Sequence, residues 1–178
     1  KVTRSALPLM RATASKSGED FSTKIINISS VQGRSTLPGL GAYGASKFAL
    51  EGFSESLYFE LQPFGIEVVI LEPGTYLTKA IDENSHEADA GLDTDSPYAK
   101  YAKRLKDLHS NILITKKGVG DPEDVAIMIE DIINRKRNKL RYLAGTQAKM
   151  RVWMRSIFPF RWFSKIILKL AMGVNRSN

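Results

Sequence analysis

Ser30, Tyr43 and Lys47 are the residue types that, brought together, move a proton and hold a carbonyl oxygen. A tyrosine phenol titrates near 10 in water, too high for easy proton exchange at neutral pH. A lysine ammonium close by favours phenolate and lowers that value. A serine hydroxyl donates a hydrogen bond to an oxygen on which charge develops. Tyr43 and Lys47 are four residues apart, so a helix puts them on one face. Of the six tyrosines, only Tyr43 has a lysine four positions later. By itself such a pair is ordinarily an aromatic at a core margin beside a solvated lysine. What precedes it turns it into candidate chemistry.

Upstream, Ile25-Ile26-Asn27-Ile28 is a short β-branched run of the kind that forms a buried strand, and Ser29 and Ser30 fall at its end. Gly33, Pro38, Gly39 and Gly41 punctuate a loop that leads to a helix predicted from Ala42 to about Pro63. Strand end, loop and helix start bring Ser30, Tyr43 and Lys47 to the carboxyl edge of the sheet, the usual ligand site of open α/β folds. Leu50, Phe53, Leu57 and Leu61 are the predicted inner stripe of the helix.

Ser30 followed by Tyr43-Gly-Ala-Ser-Lys47 closely resembles the motif of the short-chain dehydrogenase/reductase superfamily, in its single-domain branch. The resemblance implies an α/β fold with a doubly wound, Rossmann-like parallel sheet, here truncated at its N-terminal half. It implies an NAD(P)-dependent oxidoreductase, of alcohol dehydrogenase or carbonyl reductase type, interconverting an alcohol and a ketone or aldehyde. Ser30 would polarise the carbonyl, Tyr43 would be the acid/base, and Lys47 would tune Tyr43 and bind the nicotinamide ribose. Pro73-Gly74 matches the family's Pro-Gly motif beside the nicotinamide. Tyr76 matches a position whose backbone contacts that ring, although an aliphatic residue is commoner there, and Thr78 matches a cofactor-binding threonine. The cofactor contacts so implied are Tyr43, Lys47, Pro73, Gly74, Tyr76 and Thr78, with NAD or NADP as cofactor. The family's glycine-rich phosphate loop has no counterpart, since Gly39-Leu40-Gly41 lacks a third suitably spaced glycine. The chain also lacks an initiating methionine, so it reads as the C-terminal part of a dehydrogenase that is inactive alone. The Ser-to-Tyr spacing does not suit the Tyr-Lys sugar-nucleotide epimerases.

Other segments fit that order. Residues 1 to 16 are predicted to be helical, with Val2, Ala6, Leu9, Met10 and Thr13 on one side. Gly65 to Leu71 is a second buried strand. Residues 81 to 97 are acidic and weakly periodic, where the family carries its substrate-covering loop. Tyr98 to Leu108 is predicted to be a short helix with Tyr98, Tyr101 and Leu105 inward. Asp121-Pro122-Glu123-Asp124 is a strong helix start, with Val125, Ile129, Ile132 and Ile133 as its buried face. Leu140 to Leu143 reads as the last strand. His86 and His109, the two histidines, have no metal-ligand spacing, and without cysteine there is no disulfide or thiolate site. The small residues Ala45, Ala49 and Gly52 permit close approach of another backbone, and the family pairs this helix with its copy, implying a homo-oligomer.

Charge is divided along the chain. All 19 acidic residues precede residue 132, whereas 12 of the 26 lysines and arginines lie from Arg135 onward. The net charge of +7 is therefore a property of the tail and not a nucleic-acid footprint. Residues 1 to 146 read as the oxidoreductase domain and 147 to 178 as a basic amphipathic helical extension. Arg161, Lys165 and Lys169 fall on one helical face among Trp153, Phe158, Phe160, Trp162 and Phe163. Such a helix suits peripheral contact with an anionic membrane, or a lid over an apolar substrate entrance. Its uncharged runs fall far short of the ~20 residues a span needs. With no signal-peptide pattern, a cytoplasmic, membrane-associated protein is expected. The alternative function is a non-catalytic fragment binding a membrane or partner through this tail.

Overall fold

The structure, a computed structural model, describes residues 1–17, 23–76, 94–115 and 118–174. Helix α1 (Val2–Ser17) leads to strand β1 (Thr23–Ile28), and a 3-10 turn (Val31–Gly33) follows. Helix α2 (Gly41–Leu61) ends in a second 3-10 turn and precedes β2 (Ile66–Pro73). Then come α3 (Ala99–Thr115), α4 (Pro122–Asn134), β3 (Arg141–Ala144), α5 (Thr146–Ile157) and α6 (Phe160–Ile167). A π-helical turn, Leu168–Met172, closes the described chain.

The three strands form one parallel sheet in the order β1-β2-β3, with Ile25 opposite Val68 and Leu71 opposite Tyr142. Side chains alternate across a strand, so successive β2 residues serve opposite layers. Ile66 and Val68 pack with Leu57 and Leu61 of α2 and with Leu7, Met10 and Ala14 of α1. Leu71 packs on the other side with Ile26, Tyr142 and the α4 residues Val125, Met128 and Ile129. Helices thus cover both faces, which is the doubly wound parallel arrangement expected. β2 is central and buried throughout, from Ile66 to Glu72. β1 is half-buried instead of fully buried, and Ile28 at its end is exposed, because β1 pairs on one side only among the described residues.

Several inner faces differ from the sequence expectation. In α1, Val2 and Leu9 are exposed, and Leu7, Met10 and Ala14 face the core. In α2, Phe53 is exposed while Glu51 and Ser54 are buried. Both polar residues have partners on the sheet, Arg141 for Glu51 and Asn27 for Ser54, so the inner stripe is not purely apolar. α3 runs beyond Leu108 to Thr115, and Tyr98 lies exposed before its start. α4 begins as expected: Asp121 accepts from the Glu123 amide and Pro122 takes the first turn. Its other end is capped by Lys24 of β1, which donates to the Ile132, Ile133 and Arg135 carbonyls. That puts a cation at the negative end of the helix dipole. The tail is α5, a break at Phe158-Pro159, α6 and the π turn, instead of one continuous helix. Among the described residues no helix is long and apolar enough to cross a membrane, and no group of His, Cys, Asp or Glu is arranged to hold a metal ion.

Ile132 is fully buried and Ile133, beside it, is 56% exposed. Ile132→Ala should cost about 2 to 5 kcal/mol, and Ile133→Ala should stay within about 0.5 kcal/mol. Urea unfolding midpoints of the two variants check the orientation of α4.

Candidate active site

The carboxyl ends of β1 and β2 meet α2 where the chain turns after Ser29 and Ser30. Both serines are buried. Ser30 is extended (φ −164°, ψ 158°) and caps the 3-10 turn, its Oγ accepting from the Gln32 amide at 3.2 Å. The same hydroxyl donates to the Pro73 carbonyl at 3.4 Å, so the end of β2 is tied to the serine. The turn then lies on α2 at very short range. A Cβ on Gly33 would stand 3.0 Å from the Lys47 carbonyl, Glu51 Cγ and Ser29 Oγ. One on Gly44 would stand 2.3 Å from Thr36 Oγ1. Glycine at these two places lets loop and helix touch.

On that helix Tyr43 is 46% exposed and Lys47 is half-buried. The Lys47 ammonium lies 5.6 Å from the centre of the Tyr43 ring. It also donates to the Ile28 carbonyl at 3.0 Å, anchoring it to the end of β1. The four-residue spacing therefore yields the expected juxtaposition. Of the remaining candidates, Pro73 and Gly74 stand at the end of β2, and the Gly74 amide donates to the Ala144 carbonyl at 3.0 Å. Tyr76 turns its side chain into the core with Leu71 and Ala144, and its backbone bridges to Gly120. Burial and then Asp124 push the Tyr76 phenol up. Only the main chain of Tyr76 is therefore left to contact a ligand. Thr78, the acidic segment through residue 93 and His86 lie outside the described residues, as does the side chain of His109.

Sequence reasoning missed a charged cluster behind the serine. Glu72, fully buried at the end of β2, faces Arg34 and Arg141, each 3.5 Å away. Arg141 of β3 also contacts Glu51 at 3.0 Å and Glu55 at 2.5 Å. Burial, with Glu51 adding to it, raises Glu72 to about 7 although Arg34 and Arg141 pull it down. The signal available in sequence was an acid just before Pro73, one of two in a strand of otherwise apolar residues. The cluster joins the serine loop, α2, β2 and β3.

A parallel sheet with helices on both faces defines a Rossmann-like α/β protein, and Ser30, Tyr43 and Lys47 stand at the carboxyl edge of that sheet. The short chain dehydrogenase profile matches residues 1–89, and the chain belongs to this family. It is 38% identical over 169 residues to the uncharacterized oxidoreductase YusZ of Bacillus subtilis, covering 94% of this chain and 57% of that protein. A 3-ketodihydrosphingosine reductase of Bacteroides thetaiotaomicron is 34% identical over 137 residues, covering 74% of this chain and 49% of that one. Among solved structures, a short-chain dehydrogenase from Streptomyces avermitilis superposes with a TM-score of 0.62 at 30% identity, over 96% of this chain and 57% of that chain. One from Burkholderia phymatum, in complex with NAD, gives 0.60 at 20% identity over 98% and 56%, a likeness of fold. The chain spans about half the length of the curated relatives it matches.

Glu72 yields a pH signature. A folded-state pKa of about 7 against an ordinary 4.5 means that the folded chain binds the proton more tightly. This group's contribution to stability is then full below pH 4.5 and is lost as pH rises towards about 7. Glu72→Gln should remove that falling component, so thermal midpoints of the variant and the unmodified chain should diverge across this window.

Proposed function

We propose that this chain is the C-terminal part, over residues 1 to 146, of an NAD- or NADP-dependent oxidoreductase domain that interconverts an alcohol and a ketone or aldehyde. The observation that carries this reading is the joint anchoring of the set. Ser30 is bonded to Pro73, Lys47 is bonded to Ile28, and Tyr43 lies under the Lys47 ammonium.

The chemistry of these groups suits a nicotinamide dinucleotide. Lys47 uses one N–H on Ile28, which leaves two donors for ribose hydroxyls. Pro73, Gly74, the Tyr76 main chain and Thr78 would flank the nicotinamide. When bound, the nicotinamide supplies or accepts the hydride at the carbonyl carbon. In reduction Tyr43 Oη gives its proton to the carbonyl oxygen, and in oxidation it takes the alcohol proton back. The Lys47 charge stabilises the phenolate that remains. Ser30 holds the same oxygen by donating to it. Its bond to Pro73, at 3.4 Å, is long and readily exchanged for one to a substrate.

The 178 residues alone turn over no substrate on this reading, because the dinucleotide diphosphate needs a glycine-rich cradle of its own. An apolar substrate fits the named activity of the Bacteroides relative. A homo-oligomer in the cytoplasm completes the proposal. Ala45, Ala49 and Gly52 lie on an exposed face of α2 with Phe48 and Phe59, and a Cβ on Gly52 would meet nothing within 4 Å.

In the whole protein, Tyr43→Phe should lower dinucleotide-dependent carbonyl reduction by about 10²- to 10⁴-fold and leave the thermal midpoint unchanged. A well-folded Tyr43→Phe protein with undiminished turnover would refute the assignment.

A further inference from the structure

The helical tail divides its surface into three stripes. Phe163 and Ala171 are buried and Ile167 is half-buried, and they form the inward face of α6 and the π turn. Trp162, Ile166 and Leu170, one position ahead of each, are all exposed, Trp162 and Leu170 at 64%. Arg161, Lys165 and Lys169, two positions ahead of the inward set, form an exposed basic row beside them. On α5, Met150, Trp153 and Ile157 are exposed as well. Ring contacts bridge the two helices: Trp153 meets Phe158 edge-on at 6.2 Å, and Arg155 lies 5.1 Å over Phe160. Arg151 is turned inward, and burial pushes its pKa down to about 10, so it takes no part in the outer row.

The inward stripe packs on the body of the chain, where Arg104 of α3 donates to the Leu170 carbonyl at 3.5 Å, and Trp162, Ile166 and Leu170 are left exposed. This exposed surface does not suit a second copy of itself. An isologous pairing of the apolar stripes would set two rows of Arg161, Lys165 and Lys169 against each other with no acidic residue after Asp131 to offset them. Contiguous large apolar side chains of this extent mark an interaction surface. A tryptophan-bearing stripe beside a basic one is complementary to a layer that is apolar beneath and anionic at its surface.

We propose that α5, α6 and the π turn dock in the plane of an anionic lipid bilayer, with Trp162, Ile166 and Leu170 in the acyl boundary and Arg161, Lys165 and Lys169 at the headgroups. This goes beyond the catalytic reading and stands on different residues. The docking is peripheral, since α6 spans eight residues.

The two tryptophans of the chain, Trp153 and Trp162, both lie on this surface, so their emission reports on it. The 178-residue chain should co-sediment with equimolar phosphatidylcholine and phosphatidylserine vesicles, with emission shifted to the blue. Binding should weaken with added salt and be much weaker on phosphatidylcholine alone. Replacing Arg161, Lys165 and Lys169 by Gln should weaken it on the order of 100-fold. Trp162→Ser with Ile166→Ser should abolish it, with circular dichroism melts unchanged to show that both variants fold. Unchanged emission and a chain left in the supernatant at low salt would overturn the proposal. So would binding indifferent to both variants. Concentration-dependent dimerisation lost in the serine variant, without vesicle binding, would assign the surface to a second copy and overturn it equally.

Discussion

The candidate site depends on how closely α2 can approach the turn that follows β1. Two glycines set that distance, Gly33 on the turn, where a methyl group would be tight, and Gly44 on the helix, where one would collide with Thr36. Their contact fixes Lys47 and Tyr43 relative to Ser30, because Gly33 sits on the carbonyl of Lys47 itself. The Lys47 ammonium then reaches back to Ile28. Loop and helix are thus joined by a steric fit at one point and a charged hydrogen bond at another. Such positions tolerate little change, since a sub-ångström shift between reacting groups is costly.

Behind this contact lie charges in places where apolar residues would suffice. Glu72 and Glu51 are buried against Arg141 and Arg34. On the opposite face Glu67 accepts from the Asn138 amide and side chain, both at 2.6 Å, with Lys24 at 3.8 Å. Burying an ion pair is expensive and rarely adds net stability, whereas removing one partner is destabilising. The raised pKa of Glu72 is the visible trace of that expense, with Glu51 close enough to add to it. Arg141 is raised as well, which in its case favours the charged form: burial pulls it down, but bonds to Glu55 and Glu51 outweigh burial. What the clusters provide is geometry, for they join strands to helices at defined atoms.

Sequence alone revealed the elements and their order more surely than their inner faces. The β2 run, the Asp121 cap and the Tyr43–Lys47 pair are local features, decided by residues a few positions apart, and all three appear as expected. The faces of α1 and α2 went astray because polarity stood in for burial. Ser54 and Glu51 are buried only because Asn27 and Arg141, distant in sequence, supply their partners. Val2 and Leu9 are exposed because the inward stripe of α1 passes through Leu7 and Ala14 as well as the expected Met10. Tyr76 was read from its place in a motif, which said nothing of the space beside Gly120 and Gly145 that its ring fills. The tail showed its basic row in sequence, and only its packing separated Phe163 from Trp162.

The one-sided pairing of β1 leaves an imprint on the exchange of its amide protons with solvent. In a parallel strand successive residues direct their backbone groups to alternate sides. The Ser29 amide donates to the Leu71 carbonyl of β2, so the Asn27 and Ile25 amides face the same way. Those of Ile28, Ile26 and Lys24 point to the other side, where no strand stands among the described residues. The carbonyl of Ile28 on that side is occupied by Lys47. Deuterium uptake along β1 should therefore alternate, slow at odd-numbered residues and fast at even ones, whereas β2, paired on both sides at Ile70 and Leu71, should be slow at both residues there. A strand laid against that side would erase the alternation, making these few amides a direct gauge of what β1 is paired with.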